Sequence, residues 1–339
     1  MQVRSFAKIN LGLCIGPRRE DGFHDLRTVY QTIGLHDVIR VSAVRGAGVE
    51  IECKDPRVPT DQANTCYKVA ERALAALEVK SRIVLEIEKR LPVQGGLGGA
   101  SGNGVATLLA VERVLRKRLP EGERLRIAAE VGSDLPLFLV GGTVLGVGRG
   151  EEVYPAPDVP SCPIVIATPQ IGVSTPQAFA DWDERETRTG EDARSSASIR
   201  TGGDRRFTTA AKLTGSTPSD RMNEFGRRLS SWLSGSSGVP ARSRGRAETL
   251  LLDLVHTGIA NDFEQVVFPK HPELSEVKRV LERAGAFYAS LSGSGSAVYG
   301  LFRTREAAKK AASRLEKLGV PAQASTTLTR EQYWKRIWT

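Results

Sequence analysis

The sequence predicts an α+β protein built as two units, and three observations carry that expectation. Strand-like runs precede and interleave with helical ones without a regular β-α-β alternation. A stretch at 184–246, rich in Ser, Thr, Gly and Arg and poor in aliphatics, interrupts the second half. The 339 residues also suffice for two domains of ordinary size. The boundary is expected near 155–163, giving an N-terminal unit at 1–158 and a C-terminal unit at 159–339.

In chain order, strands are expected at 4–15, 38–43, 49–53 and 82–87. Helices are expected at 61–77, 101–115 and 124–131, then strands at 143–147 and 164–168. The first strand alternates Phe6, Lys8 and Asn10 on one face with Ala7, Ile9 and Leu11 on the other. The run at 105–114 has the apolar spacing of a helix. Residues 184–246 bury too little apolar surface to offset ordering, so they read as a low-complexity, disordered insertion hanging in solvent. Within it only 222–233 carries helical spacing, through Phe225, Leu229, Trp232 and Leu233. Helices at 249–256, 262–267, 273–284 and 305–318 and strands at 287–291, 297–302 and 323–328 complete the second α+β unit.

Composition narrows the function. The apolar fraction of 40% and charged fraction of 26% belong to a globular chain. No charge-free apolar run approaches the ~20 residues of a membrane span, and residues 1–8 lack a signal-peptide core, so a cytoplasmic protein without a membrane partner is expected. Four dispersed cysteines and four histidines without ligand spacing argue against zinc and disulfides. The net charge of +9 suggests an anionic partner, yet residues 184–246 hold thirteen Arg and Lys against seven Asp and Glu. The remainder is nearly neutral and aromatics are scarce, so no nucleic-acid partner is expected.

The richest motif is Pro92-Val93-Gln94-Gly95-Gly96-Leu97-Gly98-Gly99-Ala100-Ser101-Gly102-Asn103, between a strand and a helix. Glycines let backbone approach a ligand, and a helix N-terminus aims free N–H groups at the same spot, a combination suited to phosphate. It is neither a Walker A loop nor a dinucleotide fingerprint. Four further segments accompany it: Lys8 and Asn10 on one strand face, Asp21-Gly22-Phe23-His24, Ser133-Asp134-Leu135-Pro136, and Ser292-Gly293-Ser294-Gly295-Ser296. Each has a bland reading alone, as a sheet face, a hairpin turn, a helix cap or a loop. Asp134 also suits a carboxylate held in an apolar cleft for acid–base work.

In this order the segments resemble the GHMP kinase superfamily, over nearly all of the chain outside 184–246. Asp21-Gly22-Phe23-His24 looks like the D-G-Y-H element of its 4-diphosphocytidyl-2-C-methyl-D-erythritol kinases. Asn261-Asp262-Phe263-Glu264 is similar to their N-D-x-E helix start, and 173–179 to their substrate-side segment.

The resemblance implies the two-domain GHMP kinase fold, with a ribosomal protein S5 domain 2-like N-terminal domain and a ferredoxin-like C-terminal domain. It implies ATP with Mg²⁺, and a cytidine diphosphate conjugate of methylerythritol as substrate, phosphorylated in the non-mevalonate isoprenoid pathway. Asp134 would accept the hydroxyl proton and Lys8 would orient the hydroxyl. Asn10 would contact the diphosphate, His24 the cytosine edge, and Phe23 and Phe179 would sandwich the ring, with Thr175 in the same segment. Pro92, Gly95, Gly96, Leu97, Gly98, Gly99, Ala100, Ser101 and Gly102 would line ATP, Ser101 would touch a phosphate or Mg²⁺, and Asn64 would sit at the adenine.

Two departures stand out. The usual Gly-Ser-Ser-Asn reads Ala100-Ser101-Gly102-Asn103, and Phe23 replaces tyrosine. A homoserine- or mevalonate-type kinase and an RNA-binding protein are the alternatives, and a monomer or homodimer is expected.

Overall fold

The computed structural model describes residues 1–198, 217–236 and 259–338. The first strands form one large sheet. β1 (Gln2–Arg18) pairs antiparallel with β2 (His24–Val44), which also pairs with β4 (Arg82–Glu88) and β5 (Thr143–Val147). β3 (Gly48–Cys53) and β6 (Glu152–Pro155) are its edges. A second, antiparallel sheet runs β10–β7–β9–β8, from β7 (Pro163–Ala167), β8 (Tyr288–Leu291), β9 (Val298–Leu301) and β10 (Ala322–Thr326).

Helices cover the outer faces. α1 (Thr65–Ala76) and α2 (Gly99–Leu115) pack under the first sheet with α3 (Glu121–Val131) and α4 (Leu135–Val140). α2 is buried without a break from Gly102 to Glu112; its polar members Asn103 and Glu112 are paired with Asp37 and Arg124. α5 (Thr175–Ser198) and α6 (Pro218–Ser236) follow the second sheet's first strand. α7 (Glu264–Lys270), α8 (Pro272–Arg283) and α9 (Arg305–Lys317) supply the outer core of that sheet. α10 (Arg330–Arg336) returns to the first sheet, burying Tyr333, whose hydroxyl donates to the Phe138 carbonyl at 2.7 Å.

A third apolar cluster lies between the sheets, where Ala7, Ile9 and Leu11 of β1 meet Ile164, Ile166, Tyr299 and Leu301. β1 therefore feeds all three cores, through Val3 and Phe6, then Ala7, Ile9 and Leu11, then Leu13 and Ile15. Being covered on both sides, it has no solvent face. Lys8 is 3% exposed and Asn10 1%.

Several expectations need correction. β2 starts at His24 rather than 38, because residues 24–37 carry polar side chains that the two-sided sheet buries or caps. α4, β6, α5 and α10 had no sequence expectation. α4 is one and a half turns of unbroken apolar residues, which gives no helical periodicity to read. Within 184–246, α5 runs on to Ser198, which was not expected, and the helix expected at 222–233 is the body of α6, burying Met222, Phe225 and Leu229. The expected helix at 249–256 lies outside the described residues.

Candidate active site

The glycine-rich loop enters from β4 and ends where α2 begins, capped by Gly98 in the left-handed region at φ +67°. Its shape is fixed by its neighbours. Lys8 N–H donates to the Leu97 carbonyl at 2.9 Å, Ala297 N–H to Gly95 O at 3.2 Å, and the Ser292 hydroxyl to Gly96 O at 2.9 Å. The second glycine-rich turn, 292–296, thus folds against the first. A Cβ on Gly96 would lie 2.1 Å from the Ser292 carbonyl oxygen, so only glycine permits this contact. Behind that turn, Asn261 donates its amide to the carbonyls of Leu291 (2.9 Å) and Gly293 (2.7 Å). Glu264 accepts from Leu291 N–H at 2.9 Å and the Ser290 hydroxyl at 2.7 Å.

One buried carboxylate anchors the other side of the loop. Asp37, fully buried on β2, accepts from Lys89 Nζ, Arg90 N–H and Leu91 N–H at 2.7 Å each, and from Asn103 Nδ2 at 3.0 Å. It ties the loop's start and the first turn of α2 to the sheet. Sequence reasoning missed it. A lone Asp just before an expected strand carries no motif, and its partners, Lys89 to Leu91 and Asn103, are brought to it only by the pairing of β2 with β4.

Lys8 and Asp134 meet. Lys8 Nζ stands 3.2 Å from Asp134 Oδ2 and donates to Asn10 Oδ1 at 2.8 Å. The buried ammonium is thereby paired and hydrogen-bonded, which is what its burial requires. Asn10 is held in turn, donating to Thr28 Oγ1 at 2.7 Å. Asp134 stands at the N-terminus of α4 but makes no side-chain cap bond, so its carboxylate is turned to Lys8 instead. Tyr30, also missed in the sequence, donates its hydroxyl to Asp134 Oδ1 at 3.1 Å, and its ring lies 5.5 Å from Lys8 Nζ. Burial first, then the Asp134 charge, push the Tyr30 phenol well above its ordinary value, so it stays a donor.

Two clefts meet at this point. One, of about 750 Å³, is lined by Lys8, Asn10, Phe23, His24, Asp134, Thr175 and Phe179 among others. The second, of about 370 Å³, is lined by Asn64, Lys89 and the loop from Pro92 to Ser101. Gly96, Gly98 and Ser101 line both.

Not every expected residue faces a cleft as anticipated. Gly102 lines neither: a Cβ there would lie 2.8 Å from the Phe6 carbonyl, so it is the packing contact of α2 on β1 rather than part of the ATP-side wall. Asn64 lines the second cleft, but its side chain is spent as the cap of α1. It accepts from Cys66 N–H at 2.8 Å and donates to Pro59 O at 2.6 Å.

The base-side stack also differs. His24, not Phe23, lies flat on Phe179, with centroids 5.0 Å apart at 10°, and its Nε2 is 2.7 Å from Asp183 Oδ1. Two rings so close hold nothing between them. Phe23 is 52% exposed with the Arg149 guanidinium 5.0 Å over it. The Thr175 hydroxyl is engaged with Ser294 Oγ at 2.7 Å. Among the described residues no cluster of three or more His, Cys, Asp or Glu is positioned to hold a metal ion.

A glycine loop on a helix N-terminus, abutting a Lys–Asp pair, is the arrangement that the sequence's resemblance to GHMP kinases calls for. Comparison agrees: the pattern of the GHMP kinases N terminal domain matches residues 64–142, and that of GHMP kinases C terminal matches 245–320. A 4-diphosphocytidyl-2-C-methyl-D-erythritol kinase of Solibacter usitatus is 35% identical over 99% of this chain and 91% of its own length. The namesake of Desulfitobacterium hafniense is 32% identical over 92% of this chain and 91% of its own. A crystal structure of 4-(cytidine 5'-diphospho)-2C-methyl-D-erythritol kinase superposes with a TM-score of 0.67 at 26% identity, covering 96% of this chain and 99% of that one. Homoserine kinase from Cytophaga hutchinsonii gives the same TM-score at 18% identity, over 97% of this chain and 94% of its own, which speaks for the fold alone. The chain belongs to the 4-diphosphocytidyl-2-C-methyl-D-erythritol kinase family of GHMP kinases. It is an ATP-dependent small-molecule kinase.

Proposed function

We propose that the chain transfers the γ-phosphoryl group of ATP to the 2-hydroxyl of 4-diphosphocytidyl-2-C-methyl-D-erythritol, giving the 2-phosphate and ADP. The observation that carries this reading is the Lys8–Asp134 pair, 3.2 Å apart, at the junction of the two clefts and beside Gly96, Gly98 and Ser101. Phosphoryl transfer asks mostly for alignment and charge stabilisation, with little covalent chemistry for the protein.

In this reading the loop's N–H groups and the start of α2 hold the triphosphate in the smaller cleft. The acceptor alcohol lies in the larger one against Asp134, which accepts its proton as the O–P bond forms. Lys8 balances the charge developing on the transferred group and the alkoxide. Tyr30 and Asn10 keep the pair in register. A magnesium ion bound with ATP would have the Ser101 hydroxyl, at the junction of the two clefts, as its protein contact. Such an ion would neutralise charge on the β- and γ-oxygens.

The base end of the substrate is assigned to the part of the cleft lined by Phe23, His24 and Phe179, flat and aromatic as a pyrimidine requires. The test is ADP release with and without the cytidyl substrate, with homoserine and mevalonate as controls. Turnover with either control and none with the cytidyl compound would move the assignment to another GHMP kinase.

A further inference from the structure

The insertion has a place in the site that its composition conceals. α5 begins in the substrate-side segment and carries Phe179 and Asp183 one turn apart on one face. Both grip His24, Phe179 by ring stacking and Asp183 by the 2.7 Å contact to Nε2. The same turn carries Trp182, three residues on from Phe179 and 1% exposed. Its ring lies between two guanidiniums, Arg185 at 5.4 Å and Arg221 at 5.1 Å.

Arg221 belongs to α6 and also pairs with Glu186 of α5 at 2.8 Å, where both side chains are largely buried. α6 is in turn seated on β1. Met222, Phe225 and Leu229 join the cluster between the sheets; a Cβ on Gly16 of β1 would lie 3.0 Å from Met222, and Phe225 comes within ordinary contact of Gly12, whose space Ile259 fills. Arg27 of β2 donates to the Met222 carbonyl. An unbroken chain of packed contacts therefore runs from β1, through α6 and Arg221, to the turn of α5 that holds His24.

We infer that α6 is a strut for the base-side wall of the substrate cleft, and that Arg221 and Glu186 are positioning residues for recognition of the cytidine end. Neither touches the reacting atoms. They act by fixing the height and rotation of α5, and hence where Phe179, Asp183 and His24 stand. The inference rests on the proposed substrate assignment. It replaces the view of the insertion as solvated chain with one in which α6 tunes affinity for one substrate and leaves the phosphate side alone.

The experiment uses the full-length chain and the variants Arg221→Met, Glu186→Gln and Arg221→Lys, with Lys270→Ala as control, since Lys270 pairs with Asp181 on the other flank of α5. KM for the cytidyl substrate, KM for ATP and kcat are measured, together with hydrogen exchange over residues 175–189. Arg221→Met and Glu186→Gln should raise the cytidyl KM about tenfold, the loss of one well-placed contact. The ATP KM and kcat should stay within about twofold, the signature of lost binding rather than lost chemistry. Exchange over 175–189 should quicken, Arg221→Lys should recover much of the affinity, and the control should change little.

An unchanged cytidyl KM in Arg221→Met, or a fall in kcat with both KM values unmoved, overturns the inference. If the unmodified chain does not use the cytidyl substrate at all, the functional reading fails instead. The exchange data then judge the strut by themselves, and unaltered protection in Arg221→Met removes it.

Discussion

The phosphate side of the cleft is made of backbone and the base side of side chains, and the two are stabilised differently. On the phosphate side, residues 95–97 are held by the N–H groups of Lys8 and Ala297 and the Ser292 hydroxyl, and the start of the loop by the buried Asp37. Its carbonyls at 95, 96 and 97 each accept a hydrogen bond from a neighbouring element. On the base side, a ring stack and the His24–Asp183 contact join β2 to α5, the helix that runs on into the insertion. What the comparison teaches is that one end of this cleft is set by a contiguous backbone loop and the other by side chains from separate elements.

Changes at the meeting point of the two sides should be the most severe. Asp134→Asn keeps the size and removes the proton acceptor, and kcat should drop about a thousandfold, within the range of general-base effects. ATP affinity measured by direct binding should persist. Turnover near that of the unmodified chain would refute the role given to Asp134.

Asp37→Ala tests the rigidity of the phosphate side. It strands the Lys89 ammonium, two N–H groups and the Asn103 amide. Breaking a buried pair of this kind costs about 3 kcal/mol or more. Thermal unfolding should occur well below that of the unmodified chain, with a weakened ATP KM. A stable variant with normal ATP affinity would show that the loop holds its shape without the anchor.

His24→Ala addresses the base side alone. The cytidyl KM should rise about tenfold, as for loss of a stacked and hydrogen-bonded contact, and the ATP KM should not follow. Parallel increases in both constants would erase the distinction between the two sides.

Tyr30→Phe is smaller. It deletes one hydrogen bond to Asp134 and leaves the ring under Lys8. One such bond is worth about 1 kcal/mol, so kcat should fall about fivefold with KM values held. A variant indistinguishable from the parent would mean that Lys8 orients Asp134 unaided.

The mildest expectation concerns thiols. Burial pushes Cys14 and Cys66 to about 12, so almost no thiolate is present at pH 8. Iodoacetamide should label the half-buried Cys53 of the native chain and spare those two. Rapid labelling of Cys66 would mean that α1 opens readily.

The two sides were not equally legible. The glycine loop could be read because its chemistry lies in consecutive backbone, so spacing and composition report it directly. Lys8 and Asp134 could be nominated as separate segments, but the sequence left each with a mundane alternative. The solvent-face reading of Lys8 fails because β1 is covered on both sides, a fact about layers rather than about alternation. The cap reading of Asp134 fails because its carboxylate faces Lys8. Gly102 was misplaced because a helix start has a ligand-facing and a sheet-facing side, and one residue's rotation decides between them.

The amino-acid sequence by itself determined the α+β class, the glycine turn and the order of the segments that meet in the cleft, since these depend on local periodicity and on contiguous motifs. Only the tertiary structure decided which side chains share a space: Asp37 under the loop, Tyr30 beside Asp134, Asp183 on His24, and α6 seated on β1. Those pairings join residues that are tens to hundreds of positions apart. Packing and the burial of polar groups select them, and no local pattern encodes that selection.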